Sequence, residues 1–349
     1  MTIIDRDALA RAFDIAAAQV ADGTAPWVIV GLADAAETLD IQAFSAPRDP
    51  HVDVGTVGLV ASITKPIVAT VVMQLVAEGR LTLGQPVEPL LGAAASSEPA
   101  VTAWHLLSHT SGMAELDFER LVAEGVSHAV IVERQLAAPR LDPPGSTFRY
   151  ATSTFDLLGA IITALDGQPY PDAIRTRLLD PLEMRDTTFD PRPRHGDRVV
   201  MPLASPGSSD WFPAAMADSF IAMAPPGGGL WSSAGDLLRF GRAMLRGGEL
   251  DDHRILPRPF VDLMTRETTV DGVGASDDPV TASHYALGWG KPGVTTPGSR
   301  TAFGHDGVAG TRLWIDPGED LVMVYLTGVW GYPTEPIDLV MNAILAAVR

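Results

Sequence analysis

The stretch from Ile67 to Val76 is apolar almost all round when wound as a helix. A helix without a polar face must be enclosed by the rest of the chain, so this one marks the centre of the fold. Just ahead of it stand Ser62 and Lys65, three residues apart and so on one helical face, the amine within reach of the hydroxyl. A serine hydroxyl is a weak nucleophile at neutral pH and needs a neighbouring base, which an uncharged lysine can be. Pro66 would clash with the Ser62 carbonyl inside a regular helix, which places Ser62 at or before the first turn. There the helix dipole favours a developing alkoxide and disfavours a second positive charge on Lys65, and burial disfavours that charge further.

Composition sharpens the point. Of 25 lysines and arginines only Lys65 and Lys291 are lysine. Arginine keeps its proton in proteins and could not serve as a base here. The formal charge of −18 argues against nucleic acid and anionic membranes as partners. The absence of cysteine excludes disulfides, thiolate metal sites and cysteine nucleophiles. The chain opens Met1-Thr2-Ile3-Ile4-Asp5-Arg6-Asp7, without the basic and apolar regions of a secretory signal. No uncharged apolar run reaches the roughly 18 residues that span a bilayer. The expectation is a cytoplasmic protein.

Taken in order, residues 5–21 fit an amphipathic helix, and Trp27 to Leu32 and Leu39 to Phe44 fit two strands. Helical patterns dominate from Thr64 to Leu245, broken by a Pro-, Gly- and Ser-rich segment at 191–230 that reads as one long irregular excursion. A second Gly/Thr/Pro-rich connection covers 267–299. Strands follow at Thr301–Gly307, Arg312–Ile315 and Leu321–Thr327, then a terminal helix from about Pro336. This order predicts an α/β (α+β) fold in which both chain ends pair in one antiparallel sheet flanked by helices. Residues 1–60 and 281–349 would form that discontinuous domain and 61–280 a mostly helical one, with the site in the cleft between them. His105 and His109 stand at metal-ligand spacing, but no glutamate lies between them as in the zinc-protease helix, so backbone-bonded structural imidazoles are expected. No metal and no cofactor is called for.

Three stretches in this order resemble the serine β-lactamase and penicillin-binding-protein-like superfamily. They are Ser62-Ile63-Thr64-Lys65, Tyr150-Ala151-Thr152, and His305-Asp306-Gly307 on a late strand. Supporting stretches are His105 to Gly112, Pro181 to Thr187, Gly228 to Ser233 and Leu287 to Gly290. The resemblance implies that Ser62 is acylated, that Lys65 is its base or aids that base, and that Tyr150 shuttles the proton. For that task the tyrosine needs a depressed pKa, which a lysine ammonium would supply. It further implies an oxyanion hole from the N–H groups of Ser62 and Val308, with Gly307 allowing close approach to the strand and His305 lining the site.

Thr152 stands where the second motif usually ends in asparagine, and the third motif lacks the usual lysine. With the Ser-x-Thr-Lys-Pro form, these departures look more like the family VIII carboxylesterases. The resemblance therefore implies a serine esterase acting on a small-molecule ester through an acyl-enzyme. A β-lactamase, a D-amino-acid amidase or D-aminopeptidase, and an acyltransferase share the mechanism and stay open, as does a silent binding module. Thr152, Trp211, Phe212 and Trp289 are the expected substrate contacts.

Overall fold

The computed structural model describes residues 4–46, 52–93, 99–204, 214–266, 268, 284–293 and 296–349. Five strands form one antiparallel sheet: β1 (Trp27–Ala33), β2 (Thr38–Ser45), β3 (Phe303–Gly307), β4 (Thr311–Asp316) and β5 (Leu321–Leu326). Their spatial order is β2-β1-β5-β4-β3, so the first and last parts of the chain meet where Val30 pairs with Tyr325. β1 is buried along its whole length, which is why it reads as an unbroken apolar run rather than an alternating one.

Helix α1 (Arg6–Ala21) is started by Asp5, whose carboxylate accepts the N–H groups of Asp7 and Ala8. It turns Leu9, Phe13, Ala16 and Val20 onto Val28, Val30 and Leu32, with Ile337 and Met341 of the terminal helix Glu335–Leu345 beside them. Alternation of side chains sends Ile29 and Ala33 to the other face of β1. There they meet Leu237 and Leu238 of the helix Ala234–Leu245, which crosses the sheet, and behind it the Ser62 helix α2 (Thr64–Ala77). Helix α3 (Phe155–Asp166) and the helices Tyr170–Ile174 and Arg258–Thr265 pack against α2. Twelve consecutive residues of α2, Thr64 to Leu75, are buried, as its lack of a polar face requires.

The excursion at 191–230 is more regular than its composition suggests. Val199–Val200 pairs in parallel with Val57–Gly58, and Ala214–Met223 is a helix of good helix formers bounded by proline-rich flanks. Flanking prolines hide such a helix from a reading by punctuation. Among the described residues no helix is long and apolar enough to cross a membrane.

Candidate active site

Ser62 sits in a single tight turn, Ala61–Ile63, that runs directly into α2. Ala61 holds a left-handed backbone, φ 47°, a strained conformation for a residue with a side chain. Two threonines tie the turn down. Thr64 Oγ1 donates to the Ala61 carbonyl at 2.6 Å and accepts the Leu230 N–H, while Thr311 Oγ1 donates to the Val60 carbonyl at 3.0 Å. The end of β3 abuts the same turn, and a Cβ on Gly307 would overlap the Val60 carbonyl. The glycine is thus required first by the protein's own packing.

Lys65 is wholly enclosed, 0% exposed. Its Nζ lies 3.1 Å from Ser62 Oγ, 3.3 Å from Thr152 Oγ1 and 2.7 Å from the Gly227 carbonyl. Gly227 is needed for this, because a Cβ there would stand 2.6 Å from the Thr152 carbonyl. Burial lowers the amine pKa to about 7, against the opposing pull of Glu115 and Asp156. A neutral amine has two N–H groups and one lone pair. Giving the N–H groups to Gly227 and Thr152 leaves the lone pair for the Ser62 proton.

Tyr150 lies beside this amine, Nζ 4.7 Å from its ring centre. Here the structure corrects the expected electrostatics. Burial of the phenol raises its pKa, and the adjoining hydroxyls of Ser62 and Thr152 only partly reverse this. The ring is still 41% exposed to the cleft, so solvent moderates the rise without changing its sign. Above about pH 7 the resting pair is a neutral amine and a protonated phenol, and at no point an ammonium and a phenolate.

The tyrosine ring rests on His109, centroids 4.3 Å apart, and Phe155 and Tyr285 complete the cage around that imidazole. His109 Nδ1 accepts the Ala151 N–H at 3.2 Å, and His105 Nδ1 likewise accepts the Thr102 N–H, so both imidazoles bond to backbone. Burial holds His109 well below the usual imidazole pKa. Behind Lys65, Glu115 accepts the Ser153 N–H at 3.1 Å, and Asp156 is buried with one carboxylate oxygen outside any hydrogen bond, 3.5 Å from His128 Nε2. Burial raises the pKa of both acids, and the charge of Glu115 adds to the effect on Asp156.

On the sheet side His305 Nδ1 is 2.7 Å from the Asp306 carbonyl, which can only accept, so Nδ1 carries the proton. Nε2 is then the acceptor for the Tyr285 hydroxyl at 3.0 Å. Burial lowers the His305 pKa to about 4, with Lys65 adding to the effect. The Asp306 carboxylate is held by Arg312 on β4 through two contacts of 2.7 Å. Val308 follows, 42% exposed beside the turn.

A cleft of about 740 Å³ opens beside Tyr150 and His305, walled by Phe148, Tyr285, Pro292 and Trp314. A larger depression of about 910 Å³ over α1 and β2 brings no base beside a nucleophile and lies apart from this chemistry. Trp289, expected as a substrate contact, is instead core. It is fully buried, stacked on Phe240 at 5.8 Å and edge-on to Phe303 at 4.9 Å. Trp211 and Phe212 lie outside the described residues. Thr152 reaches Lys65 as stated. Sequence reasoning missed Glu115, Asp156, Gly227 and Tyr285, and with them the part Thr64 plays in pinning the turn.

Comparison with known proteins places this geometry. Residues 14–347 match the Beta-lactamase family. Penicillin-binding protein 4 of Amycolatopsis lactamdurans is 33% identical over 280 residues, 76% of this chain and 70% of that protein. Esterase EstB of Burkholderia gladioli is 32% identical over 250 residues, 62% of either chain. The fold of EstCE1, a hydrolase with promiscuous acyltransferase activity, superimposes with a TM-score of 0.77 at 22% identity, over 97% of this chain and 98% of that one. The chain belongs to the β-lactamase family, within the superfamily of serine hydrolases that takes in the penicillin-binding proteins.

Proposed function

We propose that the protein is a carboxylesterase acting on small or short-chain esters through an acyl-enzyme on Ser62. One observation carries the reading: a fully buried lysine, its pKa brought to about 7, stands 3.1 Å from a serine hydroxyl on a strained turn. Ser62 Oγ attacks the ester carbonyl while its proton passes to Lys65 Nζ. The oxyanion rests on the N–H groups of Ser62 and Val308. Tyr150, protonated at rest, gives its proton to the departing alkoxide and regains one from the Lys65 ammonium. Water then attacks the acyl carbon, loses its proton to the same pair, and Ser62 leaves reprotonated with the acid released.

The ester, rather than the amide, is favoured by Thr152 in place of the motif asparagine and by the kinship with EstB. The relationship to a penicillin-binding protein keeps β-lactam and D-amino-acid amide hydrolysis as the second reading. A p-nitrophenyl phosphonate ester should transfer its phosphonyl group to Ser62, releasing p-nitrophenolate, and stop turnover of p-nitrophenyl butyrate in step. Labelling elsewhere with unchanged turnover would reject the assignment of Ser62. Comparing p-nitrophenyl butyrate, nitrocefin and a D-alanyl amide separates the two readings, and faster turnover of either of the latter would overturn the esterase.

A further inference from the structure

An edge strand beside a nucleophile is ordinarily a template on which an extended substrate can lay its backbone, exchanging N–H and C=O bonds. β3 is such an edge, and its outward-facing groups can be followed one by one. Gly304 faces away from β4 and exchanges both its bonds with Gly290, at 2.8 and 3.0 Å. Two residues on, Asp306 presents the same edge. Its carbonyl is covered by the Nδ1–H of His305 at 2.7 Å. That proton stays on Nδ1, because the carbonyl can only accept, and the Tyr285 hydroxyl is able to donate to Nε2. Beyond the strand end, the Val308 carbonyl accepts the Gly331 N–H at 2.7 Å, whereas the Val308 N–H has no acceptor among the described residues.

We propose that this edge donates but does not accept, and that it thereby selects acyl groups with no N–H beside the scissile carbonyl. Plain carboxylic esters pass, since they ask the wall only for the oxyanion donors. An N-acylated aminoacyl group, the pattern shared by peptides and side-chain-bearing β-lactams, brings an N–H that must compete with donors built into the fold. Left unpaired on leaving water, that N–H costs binding in the transition state. His305 is on this view a specificity-determining residue whose imidazole caps a carbonyl, and Tyr285 is a positioning residue that supports its tautomer. The inference rests on the ester chemistry proposed above and names its acyl side.

The test uses two p-nitrophenyl esters that differ in one group: the levulinate and the N-acetylglycinate, CH₂ in the first standing where NH stands in the second. Each kcat/KM is divided by that ester's own hydroxide-catalysed rate, to remove intrinsic reactivity. The full chain should prefer the levulinate by about tenfold or more. His305→Ala, which uncovers the Asp306 carbonyl, should narrow the preference, and Tyr285→Phe should narrow it less. Should His305→Ala not fold, Tyr285→Phe and the wild-type ratio still decide. A wild-type ratio near one, or one that favours the N-acetylglycinate, overturns the inference alone, as does a preference that neither substitution moves. Absence of turnover on both esters overturns the esterase reading and takes this inference with it.

Discussion

On the helical side of the cleft, Lys65, His109, Glu115 and Asp156 are all drawn away from their ordinary titration by burial, and His109 Nε2 and an Asp156 oxygen have no hydrogen-bond partner. On the sheet side burial also draws His305 down, to about 4, and leaves the Trp314 indole N–H without a hydrogen-bond partner among the described residues, but the polar groups along β3 are paired. Gly304 is paired with Gly290, the Asp306 carboxylate with Arg312 and its carbonyl with His305, and His305 with Tyr285. Both walls are polar, yet the group brought to about neutrality, the Lys65 amine with a pKa of about 7, stands on the first. An incompletely satisfied buried network is costly, and such a cost persists where chemistry uses it. On the proposed esterase chemistry, proton transfer then belongs to the helical wall and binding geometry to the sheet wall.

Substitutions on the two walls should therefore fail in different ways. The largest effects belong to the helical side. Ser62→Ala should cost on the order of 10⁴-fold or more in kcat on p-nitrophenyl butyrate, with circular dichroism unchanged, since one hydroxyl at a cleft is lost. Lys65→Arg keeps a charge but has no lone pair to take the serine proton, so a loss on the order of 10²–10⁴-fold is expected. Near-wild-type turnover by that variant would show that charge alone suffices and would break the comparison. Gly307→Ala is the counterpart on the sheet side. Its new Cβ meets the Val60 carbonyl and the Thr311 hydroxyl, so it should lower stability by about 1–3 kcal/mol and read out in Tm as well as in rate.

Lys65 also gives a prediction in pH. Its folded pKa of about 7 lies below the 10.5 of the free side chain, so the unfolded chain binds more protons between those values. Stability should then rise with pH across that window, and the cost of burying the charged form is fully present below about pH 7. Lys65→Met removes the group, so its stability relative to wild type should be most favourable below pH 7 and decline towards pH 10.5 in thermal melts. In the wild type the acid limb of kcat/KM should have its midpoint near 7, activity rising as the amine loses its proton. A flat profile from pH 5 to 9 would remove lysine as the base.

How much of this was legible in the chain depended on distance along it. Ser62 and Lys65 are one turn apart, so helix geometry alone joined them, and the apolar run behind them announced the burial that tunes the amine. The antiparallel sheet from both chain ends also followed from the order of patterns, since β1 and β5 are each continuous apolar runs. Tyr150 and His305 were visible only through motif resemblance, because nothing local marks a tyrosine or histidine as cleft-facing. Tyr285 and Gly227 could not be found at all. Their roles are contacts with His305 and Lys65, and a side-chain oxygen or a single carbonyl aimed across the fold leaves no local period. Trp289 shows the converse error. Gly288, in a left-handed turn, packs against Ala69 of α2, and the tryptophan that follows enters the core rather than the cleft.

The smallest expected effect tests the comparison most finely. Of the two acids behind Lys65, Glu115 does more to favour the charged amine. Glu115→Gln keeps a carbonyl for the Ser153 N–H while removing the charge, so the Lys65 pKa should fall and the acid limb of kcat/KM should move to lower pH. The shift should stay within about one unit, because the two acids titrate as a coupled pair. Relieved of Glu115, Asp156 ionises more readily and restores part of the negative charge that the substitution took away. Glu115→Gln with Asp156→Asn should therefore move the limb further than either alone. Tyr285→Phe, on the sheet wall, should leave the limb in place while altering acyl preference. If Tyr285→Phe moved the limb as far as Glu115→Gln does, the two walls would share one titrating network, and the division of labour between them would be lost.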